Sequence, residues 1–147
     1  SEFVKTLYDK KRLLIYDENT WRPYCHLMDF SELIYKVLNS DNDVVKYQIF
    51  NAGSDENNYT KKMIAEKILK YIPNGKVEYS NNGSDPRNYK VNFDKIKTIL
   101  KFKAKFNLDY GIKELLNYLE KNNKEINKYN LSRYGNYNIN YKYDWLT

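Results

Sequence analysis

The sequence predicts a small α/β body built from short strands and four main helices. Three observations carry this reading. Short β-rich runs, Arg12-Leu13-Leu14-Ile15-Tyr16 and Lys76-Val77-Glu78-Tyr79, alternate with longer stretches whose apolar residues recur at helical spacing. Turn residues such as Pro73-Asn74-Gly75 and Ser40-Asp41-Asn42-Asp43 separate them. The 147 residues are 41% hydrophobic, enough for one core of ordinary size.

The elements follow in order. Phe3 to Tyr8 reads as the end of a helix, with Phe3, Val4 and Leu7 on one face. Arg12 to Tyr16 is a strand that runs into the turn Asp17-Glu18-Asn19. Asp29 to Leu38 carries Phe30, Leu33, Ile34, Val37 and Leu38 as a helical stripe, with Asp29 or Ser31 as its N-cap. Val44 to Phe50 reads as a strand ended by Asn51-Ala52-Gly53-Ser54. Thr60 opens a helix that turns Ile64, Ala65, Ile68, Leu69 and Ile72 inward. A loop over 80–86 follows the strand at 76–79, and Tyr89 to Val91 is extended. Asn92 caps a helix carrying Phe93, Ile96, Ile99 and Leu100. Leu108 to Leu119 is the last clear helix, and Gly111 inside it implies a packing reason, because glycine there costs about 1 kcal/mol against alanine. Two parts result: residues 1–120 as a body, and residues 121–147 as a Lys/Asn/Tyr-rich tail without clean periodicity.

Composition excludes several classes. Charged residues make up 30%, and no apolar run approaches the roughly 20 residues a spanning helix needs. One cysteine permits no internal disulfide and fits a reducing compartment, so the expected location is cytoplasmic. One histidine and one cysteine make no zinc-binding set. The net charge of +6 admits a nucleic-acid partner, but the lysines are scattered among acids rather than gathered into a stripe, so nucleic acid is not the expected partner.

Two segments carry the chemistry. In Trp21-Arg22-Pro23-Tyr24-Cys25-His26-Leu27-Met28-Asp29 the proline biases Arg22 toward extended backbone. In Asp85-Pro86-Arg87-Asn88-Tyr89 a second arginine adjoins a proline. A guanidinium fixed in this way is a bidentate clamp for phosphate oxygens, or else the partner of a neighbouring carboxylate. Together the two arginines suit the two charged centres of a diphosphate. Tyr16, at a strand end, either stacks on a nucleobase or lies half-buried on its sheet. Cys25 and His26 are adjacent in an extended run and point to opposite faces, so they do not form a nucleophile–base pair. His26 instead fixes local backbone ahead of Asp29. No residue is assigned a catalytic role.

The order of these motifs resembles the C-terminal, substrate-binding part of extended short-chain dehydrogenase/reductases, the NAD-dependent epimerase/dehydratase family. Arg12 to Asp17 resembles that family's strand beside the nucleobase. Arg22-Pro23-Tyr24-Cys25-His26-Leu27-Met28-Asp29 resembles its Arg-x-[Tyr/Phe]-x-His-[Val/Leu]-x-Asp signature. Phe50-Asn51-Ala52-Gly53 with Tyr59-Thr60, then Asp85 to Tyr89 with Val91 to Ile96, then Leu100 to Lys103 with Leu108 to Leu119, resemble its later landmarks in the same order. The likeness spans residues 3–120. It implies that Arg22 and Arg87 contact a substrate diphosphate. It implies that Tyr16 packs against the base with Leu14 beside it, and that Asp29 caps the helix after the signature.

The same resemblance implies NAD or NADP in a parent protein and none bound by this chain alone. The family's Gly-x-x-Gly-x-x-Gly loop and its Tyr-x-x-x-Lys pair are both absent from the 147 residues. The chain is therefore expected to be a C-terminal fragment that holds half of a nucleotide-sugar cleft. Its expected partners are the missing Rossmann part and possibly a second copy. A non-catalytic nucleotide-sugar-binding or scaffold module is the alternative, and a basic nucleic-acid-binding domain is the third reading.

Overall fold

A computed structural model describes residues 2–83 and 86–126. The chain divides into two compact units, Ser1–Leu116 and Asn117–Thr147. The tail from residue 127 lies outside the described residues, as does Asp85. The described elements are α1 (Glu2–Lys10), β1 (Arg12–Tyr16), β2 (Trp21–Pro23), α2 (Leu27–Leu38), α3 (Asn42–Val45), a 3-10 turn (Asp55–Asn57), β3 (Asn58–Thr60), α4 (Lys61–Leu69), β4 (Lys76–Ser80), α5 (Asp94–Ile99) and α6 (Leu108–Ile126). This is the expected α/β body with short strands, although its strands form two separate pairs rather than one sheet.

β1 and β4 run parallel, with Leu14 opposite Glu78 and Tyr16 opposite Ser80. β2 and β3 run antiparallel, with Arg22 opposite Tyr59. Strand β1 alternates in burial although its sequence is a continuous apolar run after Arg12: Leu13 and Ile15 are buried, while Arg12, Leu14 and Tyr16 face out. Helix α1 packs on β1 and α4, burying Val4 and Leu7 on one side and Ile64, Ala65 and Ile68 on the other. Thr60, expected to open this helix, is the N-cap of α4, its hydroxyl oxygen accepting from Met63 N at 3.1 Å.

A second cluster buries Leu33, Phe93, Ile96, Leu100 and Phe102, with Val37, Val45, Phe50, Ala52, Val91 and Ala104 packed around it. Gly53 is required here. Its φ is +146°, and a Cβ would lie 2.8 Å from two atoms of the buried Phe93 ring. Asp55 holds the start of α5, accepting from Phe93 N at 3.2 Å and pairing with Lys97. That pairing keeps the Asp55 carboxyl below the usual carboxylate range.

Four expectations are corrected. Val44 to Phe50 is not a strand: Val45 ends the helical turn α3, and Tyr47 has a φ of 57°, a left-handed kink that interrupts extended backbone. The N-cap of α2 is neither Asp29 nor Ser31 but His26, whose Nδ1 accepts from Met28 N at 3.2 Å. Asp29 is 1% exposed, and its two carboxylate oxygens accept from Lys105 N at 2.8 Å and Phe106 N at 3.1 Å. It pins the irregular strap over 101–107 to α2. Phe93, not Asn92, holds the cap position of α5, although the Asn92 side chain still covers Asp94 N at 2.9 Å.

Gly111 is the fourth. The nearest atom to a Cβ there is His26 Cδ2 at 3.7 Å, ordinary van der Waals contact, so packing does not demand glycine. Gly111→Ala is expected to stabilise the chain by about 0.5–1 kcal/mol through helix propensity. A urea titration reads this as a higher midpoint with an unchanged slope. A lower midpoint would mean that the His26 side of α6 has no room for a methyl group.

Candidate functional site

The four residues singled out from the sequence lie along one path through the fold. Leu14 and Tyr16 occupy the outward face of β1, 47% and 45% exposed. Tyr16 ends that strand, and its carbonyl accepts from Lys61 Nζ at 2.8 Å. The turn beyond it is tied down from both sides. Asp17 N donates to Ser80 O, while Thr20 N and the Thr20 hydroxyl both donate to Asp17 O. Lys61 N and Lys62 N, at the start of α4, donate to Thr20 O and Glu18 O. Asp17 takes a φ of 51°, which aspartate tolerates better than most residues. This turn delivers the chain to β2 and hence to Arg22.

The segment containing Arg87 runs beside β2. Trp21 N donates to the Asn88 side chain at 2.9 Å, and Tyr89 N donates to Trp21 O at 3.4 Å. Asn58 of β3 secures the far end of that segment. Its Oδ1 accepts from Val91 N and its Nδ2 donates to Val91 O, both at 3.0 Å. The two arginine-bearing segments are therefore side by side although 65 positions separate Arg22 from Arg87 in the sequence (87 − 22).

The Arg22 guanidinium is fixed in place. Its Nη1 donates to Trp21 O at 2.7 Å, and its carbon lies 5.4 Å from the centre of the Tyr89 ring. Such stacking on an aromatic face suits a planar guanidinium. Burial pushes the Tyr24 phenol up, and Arg22 opposes that shift. Both Arg22 and Arg87 have interactions within the chain. The Asp85 partner considered for Arg87 lies outside the described residues.

Sequence reasoning did not single out two nearby cations. Lys61 holds the Tyr16 carbonyl, as described, and Lys90 Nζ lies 3.7 Å from the centre of the Trp21 ring. Lys90 was legible only as the second residue past a tryptophan-facing loop position, a relation that needs the fold. Lys61 follows a helix cap, where nothing in the sequence marks it.

The Cys25–His26 pair behaves as its spacing predicts. The thiol donates to the His26 carbonyl, not to the ring, at 3.5 Å. Burial, with Asp29 close by, pushes the thiol pKa up and away from the thiolate form. His26 is committed elsewhere: with Nδ1 accepting from Met28 N, its Nε2 carries the proton toward Glu114 at 2.9 Å. Its ring packs tilted on Phe106 at 4.6 Å and edge-on to Tyr110 at 5.5 Å between ring centres. Asp109, in the first turn of α6, pairs with Lys67 and accepts from the Tyr71 hydroxyl at 3.2 Å. The Lys67 hydrogen bond keeps its carboxyl below the usual range. Among the described residues no group of three histidines, cysteines or carboxylates is placed to hold a metal ion. None of their helices is long and apolar enough to cross a membrane.

No protein-family model matches the chain. Solved structures do. L-threonine dehydrogenase from Phytophthora infestans is 16% identical, with a TM-score of 0.69 over 82% of this chain and 40% of that one. L-threonine dehydrogenase from Clostridium difficile is 22% identical, with a TM-score of 0.68 over 82% of this chain and 39% of the other. The dTDP-glucose 4,6-dehydratase from Bacillus anthracis, solved in complex with NAD, is 26% identical, with a TM-score of 0.66 over 84% of this chain and 39% of the enzyme. The chain thus spans about two fifths of the length of the proteins it matches, and over that part it has the fold of these dehydrogenases and dehydratases.

Proposed function

We propose that this chain supplies the diphosphate grip of an NAD-dependent nucleotide-sugar epimerase or dehydratase, with Arg22 and Arg87 on the two phosphates. Tyr16 packs against the base, and Leu14 lies beside it on the same strand face. One observation supports this above the rest: the backbone of Trp21 is hydrogen-bonded to Asn88 and Tyr89, which sets the Arg22 and Arg87 segments side by side. The fold alone does not choose the substrate, because the matched proteins include enzymes named for L-threonine and one named for dTDP-glucose. Two arginines on adjacent segments favour the ligand with two phosphates, since each guanidinium can meet a phosphate bidentately.

The nicotinamide cofactor does not fit the residues present. The five glycines, at 53, 75, 83, 111 and 135, never reach the Gly-x-x-Gly-x-x-Gly spacing. Neither β1 nor β4 feeds a glycine-rich turn into a helix N-terminus, the arrangement that cradles a pyrophosphate of that kind. The proposal therefore assigns cofactor binding and the chemical step to residues outside this chain.

Calorimetric titration with a nucleoside diphosphate at low ionic strength tests the grip. Arg22→Ala and Arg87→Ala are each expected to weaken binding about 10- to 100-fold, the effect of losing a charge-assisted hydrogen bond to phosphate. L-threonine is expected to give no saturable heat. Saturable threonine binding, with diphosphate affinity unchanged in both variants, would instead favour an amino-acid site.

A further inference from the structure

A cleft of about 630 Å³ opens between the residues that precede β3 and the strap over 101–107. Gly53, Ser54, Glu56 and Asn57 form one wall, and the strap forms the other, with Lys97 of α5 beside it. Leu14, Tyr16, Arg22 and Arg87 do not line it. Its volume is in the range of sites that hold small organic ligands.

Asn57 is 5% exposed, and one of its polar atoms is unmatched. Its N donates to Ser54 O at 3.0 Å, its O accepts from Tyr24 N at 2.9 Å, and its Nδ2 donates to Phe106 O at 3.1 Å. The Phe106 carbonyl fixes the amide orientation, because a flipped amide would set oxygen against oxygen. Oδ1 is left buried with no donor among the described residues. Such an acceptor is costly unless an N–H or O–H from outside the chain meets it, and away from bulk water that bond is strong. The strap can give way to admit a donor. It is tied through Phe102 N to Ile96 O and through Lys105 N to Asp29, and Lys103 and Ala104 lie between these ties.

The rim is cationic. Lys97, Lys101, Lys103 and Lys105 line the cleft against one carboxylate, Glu56. Lys97 pairs with Asp55 and Lys105 with Glu32, while the ammonium groups of Lys101 and Lys103 have no partner among the described residues. Lys101 also stands just past α5 with a φ of 50°, a left-handed position where glycine is the usual and less strained residue. So many lysines disfavour a cationic donor, which leaves a hydroxyl to meet Asn57 and a negative charge to meet the rim.

We infer that this cleft binds a small hydroxylated anion, a sugar phosphate or a sugar acid in chemical class, with a hydroxyl donating to Asn57 Oδ1 and the acid group on Lys101 and Lys103. The inference rests on Asn57 and the strap and not on the diphosphate reading, so the two fail separately.

The test is an NMR titration of the whole chain with glucose 6-phosphate, gluconate and uncharged glucose. At least one of the two anions is expected to shift the Asn57 side-chain amide and the backbone amides of 54–57 and 101–106 saturably, with glucose at least about 10-fold weaker. The tighter of the two anions identifies the acid group. Lys101→Gly is expected to raise the melting temperature by relieving the left-handed backbone, and combined with Lys103→Gln to weaken the anion about 10-fold. Shifts confined to 21–22 and 87–89 would put the anion on the arginine segments and overturn the inference. Equal affinity in the double variant would overturn it too. So would the absence of a saturable shift with either anion, which would leave Asn57 to an internal water.

Discussion

Phe93→Ala is expected to destabilise the chain by about 3–5 kcal/mol, the usual range for deleting a buried aromatic ring. Phe93 is 2% exposed and sits among Leu33, Ile96, Leu100 and Phe102. The site cannot easily collapse into the space left behind. Gly53 holds its backbone against the ring, and Asp55 fixes the Phe93 amide. A domain of this size is stable by only about 5–15 kcal/mol, so the variant should melt at least about 15 °C lower or fail to fold. Phe93→Leu keeps most of the volume and should cost distinctly less. Equal melting temperatures for the alanine variant and the parent would show that the cluster does not carry the fold.

Asp29→Ala should be nearly as damaging, at about 3 kcal/mol. The carboxylate is buried and serves two backbone amides, Lys105 N and Phe106 N. Removing it leaves two donors without their acceptor, each worth about 1–3 kcal/mol, with partial recovery through water. Asp29→Asn retains one carbonyl acceptor and should cost roughly half as much. The magnitude separates two roles. A helix cap, which sequence position alone suggests for Asp29, is typically worth about 1 kcal/mol. Chemical denaturation gives the energy. Faster amide exchange at residues 105 and 106 in the variant would locate the loss in the strap.

What the sequence made legible was local. Val4 and Leu7, or Ile64, Ala65 and Ile68, lie close enough in the chain for periodicity to show their buried face. The start of α4 at Thr60 was readable because what fixes it, the bond from Met63 N to the Thr60 hydroxyl, is only three residues long. The strand β1 was readable from its β-rich run, but that run is continuously apolar, so which of its residues turn inward, Leu13 and Ile15, was not. Relations across long separations were not readable. The Asp29 partners lie 76 and 77 residues on, so a carboxylate at the head of a helix looked like a cap. His26 displaced it because an imidazole nitrogen can accept an amide hydrogen, although histidine is not among the preferred capping residues. Val44 to Phe50 has strand composition, but a ladder needs a second strand, and no described residue provides one.

At the candidate site, the prolines beside Arg22 and Arg87 mark those two, the strand end marks Tyr16, and only the motif order resembling a known family marks Leu14. The Trp21–Asn88 hydrogen bond that aligns the two arginine segments spans 67 residues and was invisible to any local pattern. Apart from the sequence spacing, that contact supports reading the pair as one grip.

In the proposed function, Arg22 and Arg87 hold two phosphates of one ligand. Its most direct test compares the affinity of a nucleoside diphosphate with that of the phosphate-free nucleoside, in the parent chain and in the Arg22→Ala/Arg87→Ala double variant. The parent is expected to prefer the diphosphate by about 100-fold or more and the double variant to lose most of this preference, with nucleoside affinity little changed. An equal preference for the diphosphate in both proteins would contradict it.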